Sequence, residues 1–324
     1  AWWNFDTLPT VNKMDPDFVR YIITDEDSVV AHWLRLGADG FRLDVADELP
    51  DEFVKLLYDR VKEVKPDALV LGEVWEDASN KIAYDQRRTY FTNAELDSVM
   101  NYPFRTAILN FMRGSDSGSN LKEAVLSVAE NYPPEVVLCN MNLLGTHDTP
   151  RILTVLGAAH VPQSKDDRAH YRLCPQERAK GTALVKLAAL VLFTFPGSPT
   201  VYYGDEAGME GFEDPFNRGG YPWGHEDKSL KAWFTRLGTL RDQRQELRGG
   251  TIQYLYASGP LLAFARELVG ARAVTVVNAG TAPEALCLPW PKETAVDLLT
   301  GRTFPAPSGA VSLRLPPRTG LLLV

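Results

Sequence analysis

The stretch DGFRLDVADE, residues 39–48, runs from a short apolar strand into a cluster of acidic residues. Two later stretches have the same form: LVLGEVWEDAS at 69–79 and NLLGTHDTPR at 142–151. A helical segment follows each of them. Alternation of strands and helices predicts a parallel sheet with helices on its outside.

A carboxylate stands at the end of each of these strands, namely Asp44, Glu73 and Asp148. The C-terminal ends of parallel strands meet on one face of an α/β barrel, so we expect the three acids to converge there. Three further candidates lie beside them in the sequence: Arg42, Trp75 and His147. Paired carboxylates with such neighbours are typical of sites that break glycosidic bonds.

We count five strand–helix repeats after a leading helix at 15–36, which we expect to break near Thr24. The strands are predicted at 39–43, 69–73, 96–101, 140–144 and 199–204, and the main helices at 51–65, 103–112, 119–131, 177–194 and 228–247. A closed barrel of this type needs eight strands. We therefore predict α/β architecture over 1–248: a TIM (β/α)8 barrel that is incomplete at its N-terminal side and holds about strands 4–8.

The pattern changes after Gly249, where helical periodicity ends. The remaining residues form short β-type runs separated by Gly, Pro and Asn, among them TIQYLYA, LLAFARE and AVTVVN. These runs predict a C-terminal antiparallel β-sandwich domain over 249–324. A domain of about 75 residues is small but within the normal range.

Composition limits the classes of partner. The 324 residues carry a net charge of −8, which disfavours nucleic acid and anionic membranes and suits a neutral substrate such as a glucan. No apolar run approaches the roughly 20 residues of a membrane span. The three cysteines are scattered, without metal-ligand or disulfide spacing, so we expect buried or inert thiols and a reducing compartment such as the cytoplasm: Cys139, Cys174 and Cys287.

Arg42 and Asp44 are two residues apart on a strand, so their side chains leave the same face. A guanidinium at that distance favours the charged form of the carboxylate, as a glycosidic nucleophile requires. The alternative is a structural Arg–Asp pair at a strand end, which is common in proteins.

Glu73 follows Gly72 and stands two residues before Trp75 on the same face. An aromatic ring beside a carboxyl group favours its protonated form, which suits a general acid and base. The alternatives are a surface glutamate after a buried strand, and a tryptophan that belongs to the core and not to a sugar platform. For Asp148, the alternative is a helix cap: THD could begin the helix at 151–157.

Taken together, these motifs resemble three signature segments of the α-amylase family of glycoside hydrolases, closest to its neopullulanase, cyclomaltodextrinase and maltogenic amylase branch. The resemblance implies a retaining reaction in which Asp44 attacks the anomeric carbon and Glu73 protonates the leaving oxygen. Asp148 would make hydroxyl contacts that tighten in the transition state, and His147 would bind a sugar hydroxyl. The resemblance implies α-1,4 glucosidic bonds as the first substrate class and α-1,6 bonds as the second, in maltooligosaccharides, cyclodextrins, pullulan or starch.

Further segments resemble the same branch. TLPTVN at 7–12 is similar to a segment that often reads MPKLN, and the long loop within 197–223 places Asp214 and Arg218 at positions that hold a sugar on the non-reducing side. Their alternative is a loop-stabilising ion pair. Glu48 matches a residue on the leaving-group side. Departures from the branch pattern put the preferred substrate in question: Leu8, Thr10, Val11, Asp47 and Glu76.

Two rival functions keep the same fold. A non-catalytic sugar-binding relative commonly loses one of the acids, and all three are present here. A glucanosyltransferase would share the covalent intermediate, and only product analysis with maltotriose separates it from a hydrolase. A Rossmann dehydrogenase is excluded, because no GxGxxG follows a strand.

The strand count also bears on partners. The family's first signature segment, which carries an Asp, an Asn and a His, has no counterpart in this chain. Five strands leave an open parallel edge, so we expect a homodimer or pairing with the missing N-terminal part, and poor activity of the chain alone. The visible residues require no cofactor, and calcium stays open because such sites often depend on upstream residues.

Overall fold

The computed structural model describes residues 2–324, apart from the side chain of Asn4. Its helices, in chain order, are α1 Pro16–Val19, α2 Val29–Arg35, α3 Asp51–Val64, α4 Tyr102–Arg113, α5 Gly118–Asn131, α6 Pro134–Cys139, α7 Ile152–Gly157, α8 Lys165–His170, α9 Pro175–Thr194, α10 Lys228–Gln243 and α11 Gln245–Gly249. A π-helical turn at Arg20–Thr24 separates α1 from α2, so the predicted break near Thr24 is confirmed.

The strands are β1 Gly40–Leu43, β2 Leu69–Gly72, β3 Ile82–Ala83, β4 Gln86–Arg87, β5 Ser98–Asn101, β6 Met141–Leu143, β7 Ser198–Thr200, β8 Thr251–Ser258, β9 Leu261–Leu268, β10 Ala271–Asn278, β11 Glu284–Pro289, β12 Thr294–Val296, β13 Thr303–Pro305, β14 Ala310–Leu315 and β15 Thr319–Leu323. Among the described residues, no helix is both long and apolar enough to cross a membrane.

The chain forms two compact units. The first unit contains the chain up to Asn101 together with Ala129–Asn140. The second unit contains Tyr102–Val128 and Met141–Val324. In the first unit β1 pairs in parallel with β2, and β2 with β5. The predicted parallel strands are therefore present, each within two residues of its expected limits.

Helix α3 shows why these segments fold as predicted. Its buried residues recur at helical spacing and place one apolar face against the unit's interior: Phe53, Val54, Leu57 and Val61. Asp51 and Glu52 in its first turn favour the positive end of the helix dipole. The helix ends at Val64, immediately before Lys65 and Pro66, because proline cannot continue it.

A close backbone contact joins β1 to β2. Gly40 has φ +151° and pairs with Leu69, and a Cβ added at Gly40 would lie 2.0 Å from the Leu69 carbonyl oxygen. Only glycine lets the two strands approach this closely.

We expect Gly40→Ala to lower the free energy of unfolding by about 3 kcal/mol, because the new methyl group must displace backbone and the residue keeps an unfavourable φ. Chemical denaturation measures the change. Gly249→Ala is the matched control: nothing lies within 4 Å of its added Cβ, so its stability should change little. Equal effects of the two substitutions would contradict this account of the β1–β2 contact.

In the second unit β6 pairs in parallel with β7, and helix α9 lies in the core. Every residue of α9 from Leu187 to Thr194 is buried, as expected of a helix that is apolar all round. Its side chains pack with residues of α10 and of the β region, including Phe234, Phe264 and Leu322.

The β region contains a four-stranded antiparallel sheet in the order β15-β10-β9-β8, and the pairs β11–β14 and β12–β13. Fully buried Arg266 on β9 donates to the carbonyls of Thr194, Leu247 and Gly250, which end α9 and α11. Burial lowers the pKa of Arg266 to about 10. The predicted boundary at 248/249 stays a prediction.

Three expectations need correction. The predicted strand at 199–204 ends at Thr200, because the chain turns there: the Asp205 N–H donates to the Tyr202 carbonyl, and Gly204 has φ +85°. The predicted helix at 228–247 divides into α10 and α11, because Arg244 is extended. The cysteines are free, but all three are exposed, so the expectation of burial is wrong.

Candidate active site

Arg42 joins two of the predicted catalytic acids in the first unit. Its Nη1 atom pairs with Asp44 Oδ1, and its Nη2 atom lies 2.9 Å from Glu73 Oε2, at ion-pair distance although without hydrogen-bond alignment. Asp44 ends β1 and Glu73 ends β2, which are adjacent parallel strands. The predicted common face of Arg42 and Asp44 is confirmed.

The two carboxylates differ in exposure. The Asp44 side chain is 72% exposed, whereas that of Glu73 is 3% exposed. Glu73 is therefore not the surface residue of the alternative interpretation. The separation of about 5–5.5 Å that a retaining mechanism needs between Asp44 and Glu73 stays a prediction.

The main chain on both sides of Asp44 holds Glu73 at three points. The Glu73 N–H donates to the Leu43 carbonyl (3.0 Å), the Ala46 N–H donates to the Glu73 carbonyl (3.1 Å), and the Val45 N–H donates to Glu73 Oε2 (2.8 Å). Val45 has φ 40° and ψ 65°, a left-handed conformation that is costly for a β-branched residue. This turn points the Val45 N–H at the Glu73 carboxylate, a contact that no local sequence pattern predicts.

Trp75 lies against Glu73 as predicted, and its indole Nε1–H donates to Glu73 Oε1 at 3.2 Å. The tryptophan is 45% exposed, so it is not a core residue. An exposed ring beside a candidate catalytic acid offers a surface on which a sugar can stack, since tryptophan combines an apolar face with a polar N–H.

Glu48 is placed apart from the Arg42 contacts. It accepts hydrogen bonds from the Trp3 indole (2.8 Å) and from the Tyr84 hydroxyl. These three residues line a groove of about 650 Å³ in the first unit, together with Trp2 and Arg88. Exposed aromatic rings and a carboxylate match the apolar faces and the hydroxyls of a sugar.

The two acids that depart from the branch pattern share a partner. Lys81 contacts both Glu76 and Asp47, the latter at 3.1 Å. Asp47 also accepts a hydrogen bond from the Tyr90 hydroxyl at 2.7 Å. Burial, followed by this hydrogen bond, raises the pKa of Tyr90. Asp47 and Glu76 are therefore part of the polar packing around the candidate site.

In the second unit, Asp148 lies between a histidine and an arginine. His147 Nε2 is 3.1 Å from Asp148 Oδ2, and Arg218 Nη2 is 3.4 Å from Asp148 Oδ1. Arg218 also pairs with Asp214 at 3.2 Å. Contacts therefore join the four residues that were predicted separately as substrate contacts, His147, Asp148, Asp214 and Arg218, and the Asp214–Arg218 ion pair of the alternative interpretation is present.

The capping interpretation of THD is wrong. Helix α7 begins after Arg151, and no side chain caps it. Thr146 Oγ1 instead accepts from the Asp148 N–H, and Thr149 Oγ1 accepts from the Thr146 N–H, which makes a tight turn. Asp148 is thereby free to direct its carboxylate to His147 and Arg218.

Asn217 is a residue that the sequence did not indicate. Its amide Nδ2 donates to the carbonyls of His147 (2.7 Å) and Thr149 (2.9 Å), and Arg218 Nε donates to the His147 carbonyl as well (3.1 Å). The available signal was its place beside Arg218 in the loop at 197–223. These bonds join that loop to the turn that carries His147 and Asp148.

A buried ion pair was also missed. Arg151 Nη1 lies 3.3 Å from Asp205 Oδ1, and both side chains are almost fully buried. The Arg151 guanidinium packs over the rings of Tyr202 and Tyr203, at 4.2 and 4.5 Å from their centroids. Burial raises the pKa of Asp205 to about 7, although Arg151 acts in the opposite direction.

This shift makes a prediction for stability. The pKa of Asp205 is higher in the folded chain than the reference value of 3.8, so folding favours its protonated form. Stability from this group is therefore full below about pH 4 and is lost as the pH rises to about 7. The loss is of the order of 4 kcal/mol, at about 1.4 kcal/mol for each pH unit between the two pKa values.

Asp205→Asn should remove that dependence. Urea denaturation from pH 4 to pH 8 measures it: the free energy of unfolding of the variant, minus that of the wild type, should rise by a few kcal/mol across this range. A difference that stays constant with pH would contradict the raised pKa of Asp205.

Comparison with known proteins gives consistent matches. Residues 3–247 match the family described as alpha amylase, catalytic domain. The chain is 32% identical, over all its length, to an amylopullulanase from Thermoanaerobacter thermohydrosulfuricus, of which it covers 24%. It is 34% identical to a cyclomaltodextrinase from Geobacillus thermopakistaniensis, with 97% of the chain and 50% of the relative covered.

Solved structures agree with these relatives. The native form of the Nostoc punctiforme debranching enzyme aligns with all of the chain and 65% of its own length, with TM-score 0.81 and 28% identity. The chain thus spans about a quarter of the amylopullulanase and half of the cyclomaltodextrinase. These matches imply a TIM-barrel glycosidase fold with a C-terminal sheet domain.

Proposed function

Because the chain belongs to the α-amylase family, we propose that it carries part of a retaining glycoside hydrolase that acts on α-glucans. The observation that supports this most is Arg42, which contacts both Asp44 and Glu73 at the ends of adjacent parallel strands. Two carboxylates oriented by one cation provide a nucleophile and a proton donor for a glycosidic bond.

In the proposed reaction, Asp44 attacks the anomeric carbon while Glu73 gives its proton to the departing glycosidic oxygen. The bond from the anomeric carbon to that oxygen breaks, and an ester bond to Asp44 forms. Glu73, now a carboxylate, takes a proton from water, and the water oxygen replaces Asp44 at the anomeric carbon. Both acids return to their starting forms, and the product keeps its configuration.

Further residues are proposed as substrate contacts. Asp148 and His147 would accept and donate hydrogen bonds to hydroxyls of the reacting sugar, while Asp214 and Arg218 would hold a sugar on the non-reducing side. Trp75 and Glu48 are proposed as further substrate contacts. Carboxylates alone supply the reaction chemistry, so we propose no cofactor.

We propose α-1,4 glucosidic bonds as the first substrate class, with α-1,6 bonds second. The names of the relatives, which include amylopullulanase, cyclomaltodextrinase and neopullulanase, support both classes. Maltooligosaccharides, cyclodextrins, pullulan and starch are therefore the substrates to compare.

Maltotriose is the substrate that tests the proposal. Glucose and maltose as the only products mean hydrolysis, whereas oligomers longer than maltotriose mean glucanosyl transfer. Nuclear magnetic resonance of the first product should show the α-anomer. A first product with the β-configuration would overturn retention, and binding without any turnover would favour a sugar-binding relative.

A further inference from the structure

The turn at 145–151, here called the His147 loop, is fixed at both ends by one buried carboxylate. At its start, a Cβ added to Gly145 would lie 2.8 Å from Asp205 Oδ2, so the main chain lies directly against that oxygen. At its end, Arg151 Nη1 lies 3.3 Å from Asp205 Oδ1. Asp205 therefore contacts the chain on both sides of His147 and Asp148.

Arg151 adds further restraint at the same end. Its Nη1 atom donates to the Tyr203 carbonyl, and its own N–H donates to the Gly211 carbonyl at 2.9 Å. The rings of Tyr202 and Tyr203 cover the guanidinium. The loop thus ends on a side chain whose position is set from several directions.

The buried Arg151–Asp205 pair is not explained by a gain in stability. Among the described residues, Arg151 Nε and Nη2 have no hydrogen-bond partner although they are buried. A buried ion pair with unsatisfied donors is often less stable than apolar side chains of similar volume. The other charged groups whose fields act on Asp205 are Glu206 and Arg105, and Arg105 donates to the Leu144 carbonyl immediately before the loop.

We propose that Asp205 and Arg151 are positioning residues for substrate binding: together they fix the His147 loop so that His147 and Asp148 meet the sugar in one orientation. This inference rests on the proposed function of that loop. Asn217 and Arg218 hold the loop through its carbonyls, whereas Asp205 and Arg151 hold its two ends. Loss of the buried pair should therefore loosen the loop even though the bonds from Asn217 and Arg218 remain.

Three variants test the loop directly in the full chain at pH 8, where Asp205 is ionised. Asp205→Asn removes the charge at constant shape, Arg151→Lys keeps the charge without the planar fork, and Gly145→Ala pushes the main chain away from Asp205. Arg266→Met is the matched control. Arg266 is also fully buried, and it donates to three carbonyl groups that lie outside the His147 loop.

Amide hydrogen exchange is the first readout. We expect exchange of the hydrogen-bonded amides of the loop to rise about tenfold or more in the three loop variants, because the turn opens more often; these amides are Thr146, Asp148, Thr149 and Arg151. Arg266→Met should lower the free energy of unfolding. After correction for exchange through global unfolding, its loop amides should exchange at the wild-type rate. Wild-type loop exchange in Asp205→Asn and Arg151→Lys, or equal loosening in the control, would overturn the proposal.

The second readout is the steady-state kinetics of maltotriose hydrolysis, measured for the variants and for the wild-type protein. Misplacement of a binding group by about 1 Å can cost roughly 100-fold, so kcat/KM should fall 10- to 100-fold in the loop variants. We expect KM to rise more than kcat falls. The two failures differ: an inactive wild type overturns the proposed function, whereas an active wild type whose KM is unmoved by Asp205→Asn overturns the positioning role.

Discussion

Glu73→Gln should reduce hydrolysis of maltotriose by roughly 10³-fold or more, the usual scale of general acid–base catalysis. The change removes the proton that the departing sugar needs, and the main-chain bonds from Leu43 and Ala46 still hold residue 73 in place. Aryl maltosides with a good leaving group need little protonation, so their bond cleavage should fall much less.

The measurement is the ratio of kcat/KM for maltotriose to that for an aryl maltoside, in wild type and variant. Glu63→Gln is the control, because Glu63 is an exposed residue of α3 paired with Arg60 and has no part in the proposed site. Equal losses on both substrates would argue against Glu73 as the acid.

Asp44→Asn is expected to have the largest effect, a loss on the order of 10⁵-fold on every glucan, since removal of a nucleophile typically costs this much. The side chain is mostly exposed, and its pair with Arg42 lies at the surface, so stability should change by about 1 kcal/mol or less. Circular dichroism and thermal unfolding would show that the fold is retained.

Chemical rescue assigns the two acids separately. With Asp44→Ala and an α-maltosyl fluoride, azide should occupy the vacated space and give the β-glycosyl azide. With Glu73→Ala, azide should attack the ester on Asp44 and give the α-glycosyl azide. If Asp44→Ala gave the α-glycosyl azide and Glu73→Ala gave the β-glycosyl azide, Glu73 would be the nucleophile and Asp44 the general acid.

Local periodicity accounts for what the sequence predicted well. Strand alternation placed Arg42 beside Asp44 and Trp75 beside Glu73, because side chains two apart share a face. The helices were found from apolar spacing and from breakers such as Pro66. Inside the second unit, the motif at 142–151 indicated His147 and Asp148, and the loop at 197–223 indicated Asp214 and Arg218. Only the structure shows that Arg218 pairs with both Asp148 and Asp214.

The misses have a different physical origin. Valine disfavours the left-handed backbone conformation, so the local sequence around Val45 does not predict the turn. Asp205 stands among polar residues after an apparent strand, and only tertiary packing buries it against Arg151. The short helices α6 and α8 and the β3–β4 hairpin are too brief for periodicity to indicate them.

The contact from Val45 to Glu73 is made by the main chain, and this has a practical consequence for engineering. Any side chain that tolerates the left-handed turn leaves that N–H in place, so a library at position 45 can vary the size of the side chain next to the two acids. Glycine and asparagine should be the best tolerated members, since they adopt this conformation at least cost. Proline is the member to leave out, because its ring fixes φ near −65° and it has no N–H to offer.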